Sequence, residues 1–294
     1  MAPDSSERGH ALRHALPLFL LAGFCLSSLD TTAKYLVRDH PLLLVVWARY
    51  AGQTLVVAPF AWRRVGHGFW RTKRLPLHLL RSSLLLAATI CFFAGLRFLP
   101  LAEASSITFL APIVVVLLSQ PVLGERPTRP RIVASIVGFL GILILLRPGS
   151  SILHPAVALL FVTAVCNALY QMLTRKLKGE PPHTTLFYSA IVGTVGLSAT
   201  LPFALEATTL VPSDALLFLM LGTFAGAGHW FLIRAYMAAT ASLLTPFTYL
   251  QIVWATAFGF IVFGQYPDGW SAVGIAVIGA SGLLLAFQER SRQR

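Results

Sequence analysis

The chain alternates long apolar runs with short polar joints. Ten stretches are apolar enough and about the 17 to 25 residues long that a membrane-crossing helix needs. Their approximate limits are 15–37, 42–62, 78–98, 103–122, 131–147, 155–177, 184–204, 214–236, 241–263 and 270–287. The joints are brief and carry Pro, Gly or charge, as in "RDHP", "GERPTRP", "RPGSS", "KGEPPH" and "GQYPDG". They leave no room for a soluble domain. The runs are continuous and rich in Leu and Ala, unlike the alternating segments of about ten residues in a membrane β-barrel. The pattern predicts an all-α polytopic membrane protein of ten transmembrane helices. Arg8 and Arg13 precede the first run, which continues past Leu29 without a small-residue cleavage site, so it is read as a retained span.

Composition agrees: 56% of the 294 residues are hydrophobic and 12% charged. A soluble chain carries about a quarter charged residues. The net charge of +12 changes the picture only through its placement. Basic residues cluster between apolar runs, most densely in "WRRVGHGFWRTKR" (Trp62 to Arg74), which excludes a nucleic-acid partner and reads as cytoplasmic loops. With a cytoplasmic N-terminus, Lys and Arg divide eighteen to four in favour of the inner side, and Arg49 remains within a span. Both termini are therefore expected to be cytoplasmic. The three cysteines, Cys25, Cys91 and Cys166, lie inside apolar runs and form neither a disulfide framework nor a metal spacing.

The chain repeats itself. "LFLLAGFCLSSLDTTAKYL" (18–36) aligns with "LLFVTAVCNALYQMLTRKL" (159–177), "GERP" (124–127) with "GQYP" (264–267), and "GFLG" (138–141) with "GASG" (279–282). Two halves result, 15–147 and 155–287, each with five spans. Five is odd, so the halves enter the membrane from opposite sides and form inverted-topology repeats. Transporters built this way hold substrate near the midplane between the repeats and work by alternating access.

Residues 96–145, "LRFLPLAEASSITFLAPIVVVLLSQPVLGERPTRPRIVASIVGFLGILIL", resemble the EamA signature of the drug/metabolite transporter superfamily. The shared pieces are the "A-E-A-S" start of the fourth span, a proline within it, "G-E-R" after it, and a Gly-rich fifth span. "WARYAGQ" (47–53) resembles the family's second span. The second copy departs from the pattern, with Gln265 in place of Glu125 and Ile252 in place of Pro112. The resemblance implies ten helices in two EamA repeats, an inner (plasma) membrane location of bacterial type, and export of small metabolites. Amino-acid exporters, including the YddG type, are the preferred comparison. Export of a nucleoside, sugar derivative or drug-like compound is the alternative.

Ionisable residues inside spans default to functional or pairing roles. Asp30, Lys34 and Arg49 stand at one depth on the first two spans, with Asp30 and Lys34 one turn apart. Two roles are open for them. They form a buried charge network that positions the helices, or Arg49 and Lys34 hold a substrate carboxylate and Asp30 an ammonium or a coupling proton. The expected cavity lining adds Thr108, Asn167, Tyr170, Gln171, His229, Trp230, Tyr249, Gln251 and Trp254. Aromatic rings suit a substrate side chain and polar groups its ends. Pro112 and Pro246 are candidate kinks for gating. No HExxH, GxSxG, paired intramembrane acids or phosphate-binding glycine loop occurs, so the chain is not expected to be an enzyme or to use ATP. No metal or cofactor is expected. The expected partners are a small-molecule substrate, the lipid bilayer and protons as the candidate coupling ion, with a monomer as the functional unit.

Overall fold

The computed structural model describes residues 5–111, 113–115, 117–118, 129–146, 154–177, 179–206, 211–238 and 250–292. Its described elements are all helices: α1 (Ser5–Asp39), α2 (Leu42–Val65), α3 (Leu75–Leu96), α4 (Leu101–Thr108), α5 (Arg129–Leu146), α6 (Val157–Lys176), α7 (Pro182–Ser198), α8 (Leu201–Glu206), α9 (Pro212–Ala238), α10 (Leu250–Phe263) and α11 (Gly269–Arg292). Prolines mark several starts. Pro41 and Pro100 cap α2 and α4, and Pro76 and Pro182 occupy the first turns of α3 and α7, where the missing N–H has no intrahelical partner to lose.

Five described helices are long and apolar enough to cross a membrane: Ala15–Asp39, Leu42–Val65, Leu75–Leu96, Val157–Thr174 and Asp214–Leu232. Leu101–Val115, Ile132–Leu146, Gln251–Phe263 and Gly269–Leu284 are shorter apolar helices. The limits differ from the expected ones at two informative places. The third helix begins at Leu75 instead of residue 78, which draws Arg81 into its second turn. The seventh stretch is divided into α7 and α8 at Ala199–Thr200. Pro202 follows the break, and its ring nitrogen cannot continue the α-helical ladder.

The helices gather into two units. One comprises Leu29–Leu99 and Pro155–Gly226; the other comprises Met1–Ser28, Pro100–His154 and Ala227–Arg294. Each draws on both sequence halves. In the first, α2 packs on α7 and α3 on α6; in the second, α5 packs on α11 and α4 on α10. Second thus meets second, fourth meets fourth and fifth meets fifth, while the third of one half meets the first of the other.

Glycines let these helices approach. In the first unit a Cβ placed on Gly52 of α2 would lie 2.6 Å from Gly222 Cα, and one placed on Gly222 would lie 2.6 Å from Gly52 Cα. In the second, a Cβ on Gly274 of α11 would stand 2.7 Å from the Gly141 carbonyl oxygen of α5. Lipid tails are as apolar as side chains, so close packing of small residues, and not burial from water, holds such crossings together.

Candidate functional site

The buried face of α2 carries Arg49, Tyr50 and Gln53 in the first unit. Arg49 is 5% exposed, and its guanidinium carbon lies 4.4 Å from the centre of the Tyr50 ring. Its Nη1 is buried without a hydrogen-bond partner. The Tyr50 ring rests on Gly193 of α7, where a Cβ would come within 2.4 Å of it, and the Tyr50 hydroxyl lies 2.9 Å from Thr89 Oγ1 on α3. One turn further, the Thr54 hydroxyl donates to the Tyr50 carbonyl and lies 2.9 Å from Thr194 Oγ1. Between these satisfied groups, Gln53 is 0% exposed and neither atom of its amide has a partner. Asp30 of α1 is partly buried, and the Arg49 charge acts on its carboxylate. Among the described residues, no direct ion pair joins the two.

Lys34 is 2% exposed and donates to the Leu99 carbonyl beyond the end of α3. Arg97 supplies the matching tie. Its Nε donates to the Val37 carbonyl at 2.6 Å and its Nη2 to the His40 carbonyl at 2.9 Å. The last carbonyls of α1 have no helical partners, and a nearby cation both bonds them and complements the helix dipole. Of the three charges named from the sequence, Lys34 is thus engaged in joining helix ends.

On α6, Tyr170 and Asn167 are half-buried and Gln171 is exposed, so the predicted polar stripe divides between environments. The Tyr170 hydroxyl accepts from Arg81 Nη2 at 2.6 Å, with the Arg81 guanidinium carbon 4.2 Å from the Tyr170 ring centre. Arg81 is 4% exposed, and it also donates through Nε to Thr174 Oγ1 at 2.6 Å and through Nη1 to Ser189 Oγ at 2.7 Å. This hub joins α3, α6 and α7. The sequence pattern opens this span at residue 78, with Arg81 in its first turn; Pro76 in the observed first turn is the signal that the helix starts earlier.

The second unit holds the other described candidates. Trp254 of α10 is half-buried, meets Phe24 edge-on with ring centres 5.3 Å apart, and stacks on Phe258 at 6.2 Å. His229 and Trp230 of α9 are half-buried, with Arg234 5.7 Å from the Trp230 ring centre. Gln251, in the first turn of α10, is half-buried, and Thr108, at the end of α4, donates to the Ser105 carbonyl at 2.6 Å. Glu103, another buried acid and part of the "A-E-A-S" motif, is 4% exposed and accepts from Ser271 Oγ at 3.1 Å. Tyr249, Pro112 and Pro246 lie outside the described residues.

The densest basic segment is tied down. Thr184 Oγ1 donates to the Phe69 carbonyl, and the Tyr188 hydroxyl donates to the Trp70 carbonyl. Arg74 Nη1 donates to the Lys176 carbonyl, and Thr72 Oγ1 donates to Glu180 Oε2 at 2.7 Å. The Thr72 hydrogen bond, chief among its neighbours' effects, holds the Glu180 carboxyl below the usual glutamate range. A carboxyl with a lowered folded pKa stabilises the fold above its unfolded value, and that contribution disappears as pH falls through the folded value. Thermal melts in detergent should therefore show a small acid-side loss of stability that Glu180→Gln reduces. Identical acid-side profiles for both proteins would contradict the role given to this bond.

Comparison with known proteins places this arrangement. The model of the EamA-like transporter family matches residues 14–147 and 154–287. The chain is 28% identical over 276 residues to an S-adenosylmethionine uptake transporter of Rickettsia prowazekii (strain Madrid E), covering 92% of each chain. It is 29% identical over 283 residues to a riboflavin transporter of Rhizobium johnstonii (strain DSM 114642 / LMG 32736 / 3841), covering 94% of this chain and 91% of that one. A crystal structure superposes with a TM-score of 0.66 at 20% identity, over 98% of this chain and 100% of the other, so the fold is shared. The paired halves, the apolar helices and the family match lead to one conclusion: this multi-pass membrane chain belongs to the EamA-like transporter family and carries two EamA domains.

Proposed function

We propose that the protein is a secondary transporter of small metabolites that carry an α-amino-acid end. It is read as ten spans in two inverted repeats, 15–147 and 155–287, with both termini cytoplasmic in an inner membrane, operating by alternating access as a monomer. The observation that carries the reading is the buried Arg49, with a guanidinium nitrogen that has no partner among the described residues, in the unit that also holds Asp30. A cation and an acid beside each other inside a membrane suit the carboxylate and ammonium of a zwitterion. S-adenosylmethionine, named for one relative, is itself an α-amino acid with an adenosyl group. The amino-acid reading and that relative's solute therefore share one recognition chemistry. Export is the expected direction of this family resemblance, whereas the Rickettsia relative is named for uptake. Without ATP, a facilitator moves solute either way down its gradient, and Asp30 is the candidate for coupling to protons.

A second reading, a neutral heterocyclic solute such as the riboflavin named for another relative, is favoured by the Phe24, Trp254 and Phe258 ring cluster. Counterflow separates them. Purified protein in liposomes preloaded with unlabelled solute should accumulate labelled amino acids or S-adenosylmethionine without ATP. Accumulation of riboflavin alone would establish the second reading and overturn the first.

A further inference from the structure

The Arg49 and Gln53 pair has a specific chemical inventory. Gln53 is the twelfth of the 24 residues of α2, about 16 Å from the helix start at 1.5 Å per residue. It therefore sits at mid-span, the depth at which transporters of repeated architecture bind their solutes. Arg49 lies one turn away on the same helix face. Among the described residues, three polar atoms on this face are buried without partners: Arg49 Nη1, Gln53 Nε2 and Gln53 Oε1. Two are donors and one is an acceptor. The inventory is unchanged if the amide is turned over, because both of its ends are unpartnered. Leaving a buried polar group unsatisfied costs about 1–3 kcal/mol, so a mid-membrane glutamine with two such atoms is a poor structural element. The neighbouring polar groups on α2 do not share this condition, since the Tyr50 and Thr54 hydroxyls are bonded. His78 Nδ1 and Ser82 Oγ on α3 are also unpartnered, but they do not adjoin an unpartnered guanidinium nitrogen on their own helix.

We propose that Gln53 is a specificity-determining residue that bridges the two charged ends of an α-amino-acid group. Its Nε2 and Arg49 Nη1 donate to the two carboxylate oxygens, while its Oε1 accepts from the ammonium, whose charge Asp30 balances. Carboxylate and ammonium stand on one carbon, so a single amide can reach both. A solute lacking either end leaves at least one of the three atoms unsatisfied and binds less well. This inference rests on the amino-acid reading above and adds a residue that the charge pattern did not reveal.

The test compares wild type with Gln53→Met, which keeps side-chain length and removes both polar atoms. Ligand-induced thermal stabilisation is measured in detergent with L-methionine, S-adenosylmethionine and the amine left when methionine loses its carboxyl group. Wild type should be stabilised by the two amino-acid-bearing probes and at least tenfold more weakly by the amine. Gln53→Met should fold with equal or greater stability in the absence of probe, yet bind the amino-acid-bearing probes at least tenfold more weakly. If wild type is stabilised and Gln53→Met responds with equal affinity, the Gln53 assignment fails while the transport reading stands. If Gln53→Met melts earlier but binds normally, Gln53 is a structural residue satisfied by buried water only, and the assignment again fails. If wild type responds to no amino-acid-bearing probe, the amino-acid reading itself falls and takes this inference with it.

Discussion

Arg49→Ala is expected to lower counterflow of an amino-acid-bearing solute by about 10- to 100-fold. A hydrogen bond to a charged group contributes about 1.5–3 kcal/mol, and each 1.4 kcal/mol is tenfold. Arg49 is the buried cation of α2, and its Nη1 has no protein partner. Lys34 does not replace it, because its ammonium is engaged with the Leu99 carbonyl. The competing explanation is that Arg49 and Asp30 only hold helices in place. The two accounts diverge in the double variant. If the charges merely neutralise each other, Asp30→Asn with Arg49→Ala should recover the stability and transport lost in either single variant, since removing both members of a buried pair is far milder than removing one. If they bind the two ends of a solute, the double variant regains stability but not transport. Recovery of both in the double variant would contradict the binding role. Arg49→Lys is informative beside these: it keeps the charge without the planar fork, so it should retain part of the affinity.

Gly222→Ala is expected to be strongly damaging in the first unit, with Gly52→Ala nearly equal to it. The added Cβ would stand 2.6 Å from a backbone Cα in either case. Backbone cannot turn aside as a side chain does, so α2 and α9 must move apart along the crossing. Overpacking costs about 1–3 kcal/mol in ordinary cores, and a whole domain is stable by only about 5–15 kcal/mol. Close approach is also the principal attraction between membrane helices, so the upper part of that range is the expectation, and valine should abolish folding. Gly226→Ala provides the control. There the new Cβ meets the side chain of Val56 at 3.0 Å, and Val56 is half exposed and free to adjust. Melting curves in detergent should rank Gly226→Ala close to wild type and Gly222→Ala far below it. Equal melting of the two variants would mean that α2 and α9 do not cross at this contact.

Much of the fold was legible because membrane spans announce themselves through uninterrupted apolar length. Helix type followed from that pattern, and the two EamA domains from the motif at 96–145 with its weaker second copy. The boundary of α3 was legible in principle through Pro76, yet the density of neighbouring charges set the expected start three residues late, at 78. Satisfaction of polar groups was less legible. Asp30, Lys34 and Arg49 look equivalent in sequence as charges within or near spans. Only the fold separates Lys34, bonded to a carbonyl beyond the end of α3, from Arg49, which keeps an open nitrogen. Gln53 was quoted within "WARYAGQ" without being singled out. Its spacing from Arg49 was visible, but an uncharged residue draws attention only once its surroundings prove to lack partners. Tyr170 illustrates the converse, because the ring proposed for a substrate is occupied by Arg81.

Recognition is proposed to rest on the amino-acid end of the solute. Its most direct measurement is inhibition of wild-type counterflow in liposomes by an α-amino acid and by its decarboxylated amine, compared at matched concentrations. The amino acid is expected to inhibit at least ten times more strongly than the amine. Equal inhibition by the two, or none by either while riboflavin inhibits, would contradict it.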